Sequence, residues 1–160
     1  MPTPSFKPGD CLLYSPKGFF GWVIATKTWH HVAHVEIFNG GTLAAAASFA
    51  SRDGIGVGRY PLRTSELAYV LRPRKMLDLA CANRWFERVK GTRYGWLELA
   101  NFVGLPLHGG GIFCSQFAAG YYRAAGLDLF PEDPPEKIAP FQFLDLVGEA
   151  FDDVTGGDLF

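Results

Sequence analysis

The sequence has few cysteines, no excess of charge of either sign and no long apolar run. Its three cysteines, Cys11, Cys81 and Cys114, are odd in number and lack the spacing of zinc ligands, which argues against a disulfide scaffold and a zinc site. We therefore expect a reducing compartment. Fifteen Lys and Arg against sixteen Asp and Glu give a formal net charge of −1, and this balance predicts no nucleic-acid partner.

No segment reaches the roughly 18 apolar residues that a membrane-spanning helix needs, and MPTPSFKPGD at the amino terminus lacks the features of a signal peptide. We expect a cytoplasmic protein without stable membrane insertion. With 160 residues, 48% of them hydrophobic, the chain is long enough for a sizeable core, so we expect a single domain over 1–160. The composition predicts no particular oligomeric state.

Alternation and turn residues predict strands in the first half of the chain. They fall at 11–14, 32–38, 42–48, 56–62 and 67–74, with a tight turn at Asn39-Gly40-Gly41. The dense apolar segment 18–29 fits a helix or a strand equally. Small alanines fill the strand 42–48, as expected where another element packs closely against it.

Helical periodicity predicts helices at 76–91, 94–107, 113–126 and 140–151, and the tail after 151 is predicted to be frayed. The first of these helices places Cys81 on its apolar face, so we expect Cys81 in the core. Strands followed by helices predict an α+β fold, in which an antiparallel sheet packs against helices on one side.

Cys114 occupies the first turn of the predicted helix in GGGIFCSQFAAGYYRAAG. Unpaired backbone N–H groups and the helix dipole favour a thiolate at this position. A cysteine beside phenylalanines is also a common core residue. A nearby histidine decides between these interpretations, because an imidazole that takes the thiol proton makes the sulfur a nucleophile.

Of the four histidines, His34 is the best-placed base. His108 lies in a glycine loop, and the adjacent His30 and His31 point to opposite faces of a strand entrance. His34 lies inside a strand and shares its face with Glu36. A half-buried histidine bonded to a carbonyl is the alternative. A metal site is not expected, since alternation directs His31 away from His34.

Five motifs in order, KPGDCLLY, HVAHVEIF, ASRDGIGVGRYPL, GTRYGWLEL and FCSQFAAGYYRAAG, resemble the circularly permuted branch of the NlpC-type papain-like cysteine hydrolases, relatives of the lecithin retinol acyltransferase group. In that branch the histidine precedes the cysteine, as here. The resemblance implies a papain-like fold with Cys114 as nucleophile and His34 as base.

The resemblance also implies further site residues. Tyr94 of GTRYGW matches a tyrosine near the cleft, although packing at a helix start explains it equally, and Ser115 and Gln116 follow the nucleophile; we assign these three to substrate binding. A third catalytic polar residue is expected after the histidine strand. The candidates are Ser48, Ser51, Asp53 and Glu36, and we assign Ser51 and Glu36 to catalysis. A carboxylate would stabilise an imidazolium, a serine would only orient it, and Asp53-Gly54 also fits a plain turn.

The function expected from these residues is amide hydrolysis, in a peptidoglycan-type peptide, through an acyl-thioester on Cys114, without cofactor or metal. A lipid acyltransferase or thioesterase with the same Cys/His pair is the first alternative, because Phe19, Phe20, Trp22 and Trp29 would suit an acyl groove as well as a core. A catalytically idle module that binds a peptide or acyl ligand is the second.

Overall fold

Six strands form one antiparallel sheet in the computed structural model, which describes residues 5–16, 31–51, 54–95 and 109–156, without the side chains of 49–51, 54 and 55. The strands are β1 Cys11–Tyr14, β2 His34–Gly40, β3 Leu43–Ser51, β4 Gly54–Pro61, β5 Leu67–Pro73 and β6 Phe151–Asp153. Their spatial order is β4-β3-β2-β1-β5-β6. The predicted α+β class with an antiparallel sheet is confirmed.

The hairpin between β2 and β3 is closed by two glycines. Gly40 and Gly41 have φ values of 108° and 63°, a region that side chains other than glycine rarely adopt. Beyond this turn Ile37 lies opposite Ala45. The predicted turn is confirmed at Gly41 but lies further along the chain than expected: Asn39 and Gly40 still belong to β2, Gly40 lies opposite Leu43, and the turn residues are Gly41 and Thr42.

The described part of the chain contains three α-helices: α1 Leu79–Val89, α2 Cys114–Ala124 and α3 Gln142–Asp145. Single 3-10 turns occur at Thr64–Glu66 and Pro135–Lys137. The Asp78 side chain caps α1 by accepting the Cys81 N–H at 2.9 Å. None of the helices in the described ranges has the length and apolarity that a membrane crossing requires.

The helices cover one face of the sheet. Val35 and Ile37 of β2 and Ala45 and Ala47 of β3 belong to one buried cluster with α2 residues such as Phe117. A smaller buried cluster on the opposite face includes Leu12, Tyr14, Phe38, Ala44, Val70 and Val154. The small alanines of β3 let α2 lie close to the sheet, as the sequence predicts.

The carboxyl-terminal part of the fold differs from the prediction. The predicted helix 140–151 is wrong beyond Asp145, because the chain turns at Gly148, where φ is 90°. The segment after this turn pairs as β6 with the open edge of β5, Phe151 opposite Pro73. The tail is also not frayed at its start, since Val154 is buried and its N–H donates to the Val70 carbonyl at 2.8 Å.

The expected core position of Cys81 is also wrong. Cys81 is half-buried, and the buried side chains of α1 are Ala82 and Phe86. The i, i+4 spacing of these two residues sets the inward face one position further along the chain.

The prediction for 18–29 lies outside the described residues, as does the predicted helix 94–107 from residue 96 onwards. Tyr94, the first residue of that predicted helix, forms an isolated bridge with Ile112 and not a helical turn.

Candidate active site

Cys114 is the first residue of α2, and its sulfur meets unpaired backbone donors. The preceding residue, Phe113, is extended with φ −102° and ψ 170° and supplies no side-chain cap. First-turn N–H groups are therefore free to point at the sulfur. The N–H groups of Ser115 and of Val35 on β2 both stabilise the thiolate and lower the Cys114 pKa. The residue is 2% exposed.

His34 is the first residue of β2, and its ring reaches the start of α2. Alternation places His34 and Glu36 on one face of the strand, while Val35 and Ile37 pack under the helices. The His34 Nε2 atom lies 3.1 Å from Glu36 Oε1. Because Nε2 faces this carboxylate, Nδ1 is the ring nitrogen left for Cys114.

Cys114 and His34 perturb the ionisation of each other. Burial alone would raise the Cys114 pKa, but the charge of His34 and a side-chain hydrogen bond with it outweigh burial and lower the pKa. Burial alone would lower the His34 pKa, but Cys114 and then Glu36 raise it to about 9. These opposite shifts favour a thiolate–imidazolium pair at neutral pH.

Glu36 is a buried carboxylate held between two cations. Its side chain is 1% exposed, and Oε1 accepts from Arg63 Nη2 at 2.9 Å as well as facing His34. Burial raises the Glu36 pKa, but His34, Arg63 and the Tyr14 hydroxyl together lower it below its ordinary value. Glu36 is therefore an anion that can orient the His34 ring and stabilise its protonated form.

Tyr94 also lies at the sulfur. Burial, followed by the charge of Cys114 and a hydrogen bond with it, raises the Tyr94 pKa well above its ordinary value. Two backbone hydrogen bonds of its sequence neighbours position Tyr94. The Gly95 N–H donates to the Ile112 carbonyl and the Ile112 N–H donates to the Arg93 carbonyl, both at 3.0 Å. The predicted Tyr94 and Cys114 are thus brought together, although 20 residues apart in sequence.

The other predicted site residues are placed differently. Ser115 is buried and its hydroxyl donates to the Ile138 carbonyl, so what it offers the sulfur is its backbone N–H. Gln116 is half-buried, and within the described structure its Oε1 is a buried acceptor without a hydrogen-bond partner. Ser51 ends β3 opposite Gly54, and its side chain lies outside the described part. Asp53 lies outside it entirely.

Two residues beside the predicted site, Arg63 and Tyr14, were not predicted from the sequence. The Arg63 guanidinium carbon lies 4.6 Å from the centre of the Tyr14 ring, and Tyr14 is directly opposite His34 in the sheet. Sequence carries a weak signal for Tyr14, which ends the first predicted strand. Arg63 follows β4 and reaches Glu36 only because the strands assemble in this order.

The remaining cysteines and histidines lie outside this constellation. Cys11 is fully buried, and burial raises its thiol pKa. The pKa of half-buried Cys81 is also raised, first by the neighbouring Asp78. His31 is exposed, whereas His30 and His108 lie outside the described residues. Across the described ranges, no three His, Cys, Asp or Glu side chains converge as metal ligands.

Comparison with known proteins adds no family assignment. A scan against protein-family models finds no match for this chain, and a search of curated proteins finds none either.

Proposed function

We propose that this chain is a cysteine hydrolase that cleaves an amide bond with Cys114 as nucleophile, His34 as general base and acid, and Glu36 as the third polar residue. The observation that carries the proposal is the meeting of the Cys114 sulfur with the His34 ring, with the thiol pKa lowered and the imidazole pKa raised. A sulfur that is ionised at neutral pH is a far better nucleophile than a thiol.

The proposed reaction begins when the Cys114 thiolate attacks the carbonyl carbon and forms a C–S bond. The imidazolium of His34 then gives its proton to the amine nitrogen as the C–N bond breaks. Water attacks the thioester next, and His34 takes a proton from it. Cleavage of the C–S bond releases the acid and restores the thiolate–imidazolium pair. Backbone N–H groups at the start of α2 suit a developing oxyanion.

The substrate class rests on two different supports. An amine is a poor leaving group that needs a proton, and an imidazolium whose pKa is about 9 carries one at neutral pH. A peptidoglycan-type peptide, and the permuted NlpC-type papain-like architecture, rest on the motif resemblance alone. The position of Glu36 at His34 counts against an idle binding module, because that alternative is favoured when the third polar residue of a catalytic site is unclear.

Competition among the three cysteines tests the proposal. We expect iodoacetamide at pH 6–7 to alkylate Cys114 much faster than Cys11 or Cys81. The rates are measured by mass spectrometry of the three cysteine-containing peptides. Cys81 is the internal control, because it is more exposed than Cys114 but has a raised pKa. In His34→Ala the advantage of Cys114 should disappear. Faster labelling of Cys81, equal in both proteins, would refute the nucleophile assignment.

A substrate panel then separates amide hydrolysis from acyl chemistry on lipids. Stem-peptide fragments, acyl thioesters and phospholipids are incubated with the wild-type chain and with Cys114→Ala as the control. We expect Cys114-dependent release of an amine from the peptides. Release of fatty acid with no peptide cleavage would favour the thioesterase or acyltransferase alternative.

A further inference from the structure

Arg63 is built into the same cluster as the proposed catalytic residues, although it does not touch Cys114 or His34 in any described contact. Its Nη2 donates to Glu36 Oε1 at 2.9 Å, and its Nη1 lies 3.4 Å from Glu66 Oε2. The guanidinium also stacks over the Tyr14 ring. Three contacts on separate elements thus hold the side chain in one orientation, which a chance surface ion pair would not require.

One carboxylate oxygen connects Arg63 with the site. Oε1 of Glu36 faces both Arg63 Nη2 at 2.9 Å and His34 Nε2 at 3.1 Å. A carboxylate that is 1% exposed is costly to keep ionised without a cationic partner. Arginine supplies a partner that does not lose its proton.

We propose that Arg63 is a positioning residue that keeps Glu36 ionised and directed at His34 throughout the reaction. This inference rests on the proposed function. The importance of Arg63 differs between formation of the acyl-enzyme and its hydrolysis. In the resting site the imidazolium of His34 and the guanidinium of Arg63 both balance Glu36, whereas in the acyl-enzyme His34 has given up its proton and, among the described residues, only Arg63 remains as a cation beside the buried carboxylate.

The acyl-enzyme needs one particular tautomer of His34. To take a proton from water at the thioester, the ring must carry its hydrogen on Nε2 and leave Nδ1 unprotonated. An ionised Glu36 accepts from Nε2–H and enforces this tautomer. A protonated Glu36 could donate to Nε2 instead, which would place the hydrogen on Nδ1 and remove the base.

The groups that face Glu36 come from several elements. They are His34 on β2, Tyr14 on β1 and Arg63 after β4. Tyr60 on β4 is close enough that the charge of Glu36, after burial, raises the Tyr60 pKa. Arg63 is the cation among these that cannot lose its charge in the working pH range. Glu66 lies on the far side of Arg63 and anchors it.

The experiment measures the pH profile of Cys114 alkylation in Arg63→Gln, Arg63→Lys and Arg59→Gln. We expect Arg63→Gln to alkylate about tenfold more slowly at pH 6.5, because the buried Glu36 is partly protonated without Arg63 and the imidazolium of His34 then loses part of its counter-charge. Arg63→Lys should recover most of that rate.

Arg59 is a matched control, because it is also 34% exposed, bonded to a glutamate and stacked on an aromatic ring. Its partners, Glu87 and Phe86, are not among the residues of the proposed site. Arg59→Gln should therefore keep the wild-type pH profile.

A second readout follows the His34 tautomer by ¹⁵N NMR after Cys114 has been carbamidomethylated, which makes the sulfur neutral as in an acyl-enzyme. The wild type and Arg63→Lys should show the hydrogen on Nε2, and Arg63→Gln should show a loss of this form. If Arg63→Gln fails to melt cooperatively, Arg63→Met, whose apolar chain still covers Tyr14, takes its place.

The outcomes separate the two proposals. A fast wild-type Cys114 with an unchanged profile and tautomer in Arg63→Gln would overturn the role of Arg63 and leave the Cys114–His34 pair standing. A lysine variant as slow as the glutamine variant would also overturn it, because charge would not be the cause. A wild-type Cys114 no faster than Cys81 would overturn both proposals.

Discussion

Glu36 lies two positions after His34 on the same strand, and its Oε1 is 3.1 Å from the His34 Nε2 atom. Side chains at i and i+2 of a strand share a face, so the backbone of β2 itself fixes the distance between the ring and the carboxylate. No strand register has to be correct for this contact to form. The orientation of the proposed base is therefore a local property of the sequence His-Val-Glu.

Loss of the Glu36 charge should slow the reaction of Cys114. Glu36→Gln keeps the shape of the side chain but removes the anion beside the imidazolium. We expect alkylation at pH 6.5 to slow by about tenfold, the factor that corresponds to about 1.4 kcal/mol of lost charge-assisted bonding. Glu87→Gln is the control, since that carboxylate also bonds an arginine but lies on α1. An unchanged rate in Glu36→Gln would exclude a role for the charge.

Removal of the sulfur should change the titration of His34. The His34 pKa is raised to about 9, against the burial of the ring, mainly by Cys114. In Cys114→Ala we expect the midpoint, measured by NMR, to fall by about 1–3 pH units. Cys11→Ala, which removes another buried thiol, should leave the midpoint unchanged. Equal midpoints in the wild type and Cys114→Ala would contradict the ion pair.

The same shift predicts how stability depends on pH. The raised pKa of His34 contributes stability that is lost between about pH 6.5 and 9, whereas the lowered pKa of Cys114 contributes stability that increases with pH up to the ordinary thiol value of 9.0, so the two effects offset each other between about pH 6.5 and 9. Below pH 6.5 only the Cys114 effect remains, and the free energy of unfolding of the wild type, measured by urea denaturation, should therefore rise as the pH approaches 6.5 and then stay level to about 9. In His34→Gln, where no imidazolium lowers the Cys114 pKa, this rise should be absent. Parallel curves for the two proteins would show that His34 carries no such linkage.

The Tyr94 hydroxyl should stabilise the thiolate. Tyr94 hydrogen-bonds Cys114, and burial, followed by the charge of Cys114 and this hydrogen bond, raises the Tyr94 pKa well above its ordinary value. A hydrogen bond to a charged group contributes about 1.5–3 kcal/mol, so Tyr94→Phe should slow alkylation at pH 6.5 by at least about tenfold. Tyr121→Phe is the control, because Tyr121 is also buried but its hydroxyl faces Asn83. Equal rates in the two variants would reject the contact.

Gly111 should tolerate no side chain. A Cβ atom at this position would lie 2.6 Å from the Gly95 Cα and 2.9 Å from the Tyr94 carbonyl carbon, and backbone atoms cannot rotate away. We expect Gly111→Ala to lower the free energy of unfolding by about 1–3 kcal/mol and to slow Cys114 alkylation by displacing Tyr94. Gly156→Ala, which meets open space, should do neither. A fully stable Gly111→Ala would mean that the two segments are not in contact.

Local patterns were sufficient for much of the fold. Alternation and turn residues predicted the strands from β1 to β5, and helical spacing with a following glycine predicted α2, which ends just before Gly126 with φ 86°. These signals depend on neighbours within a few residues. The last strand had no such signal: 140–151 has helical spacing, and Phe151–Asp153 forms β6 only because β5 offers an unpaired edge.

The candidate site also combines contacts that follow from local sequence with contacts that depend on the tertiary structure. The sequence by itself determined that His34 and Glu36 share a face, because strand alternation is local, and that Cys114 begins a helix whose first-turn N–H groups are free. Only the tertiary structure decided that the ring meets the sulfur, that Tyr94 joins them, and that Arg63 and Tyr14 enclose Glu36. These contacts join residues 20–80 positions apart, and such contacts depend on strand order and helix docking, which no local pattern encodes.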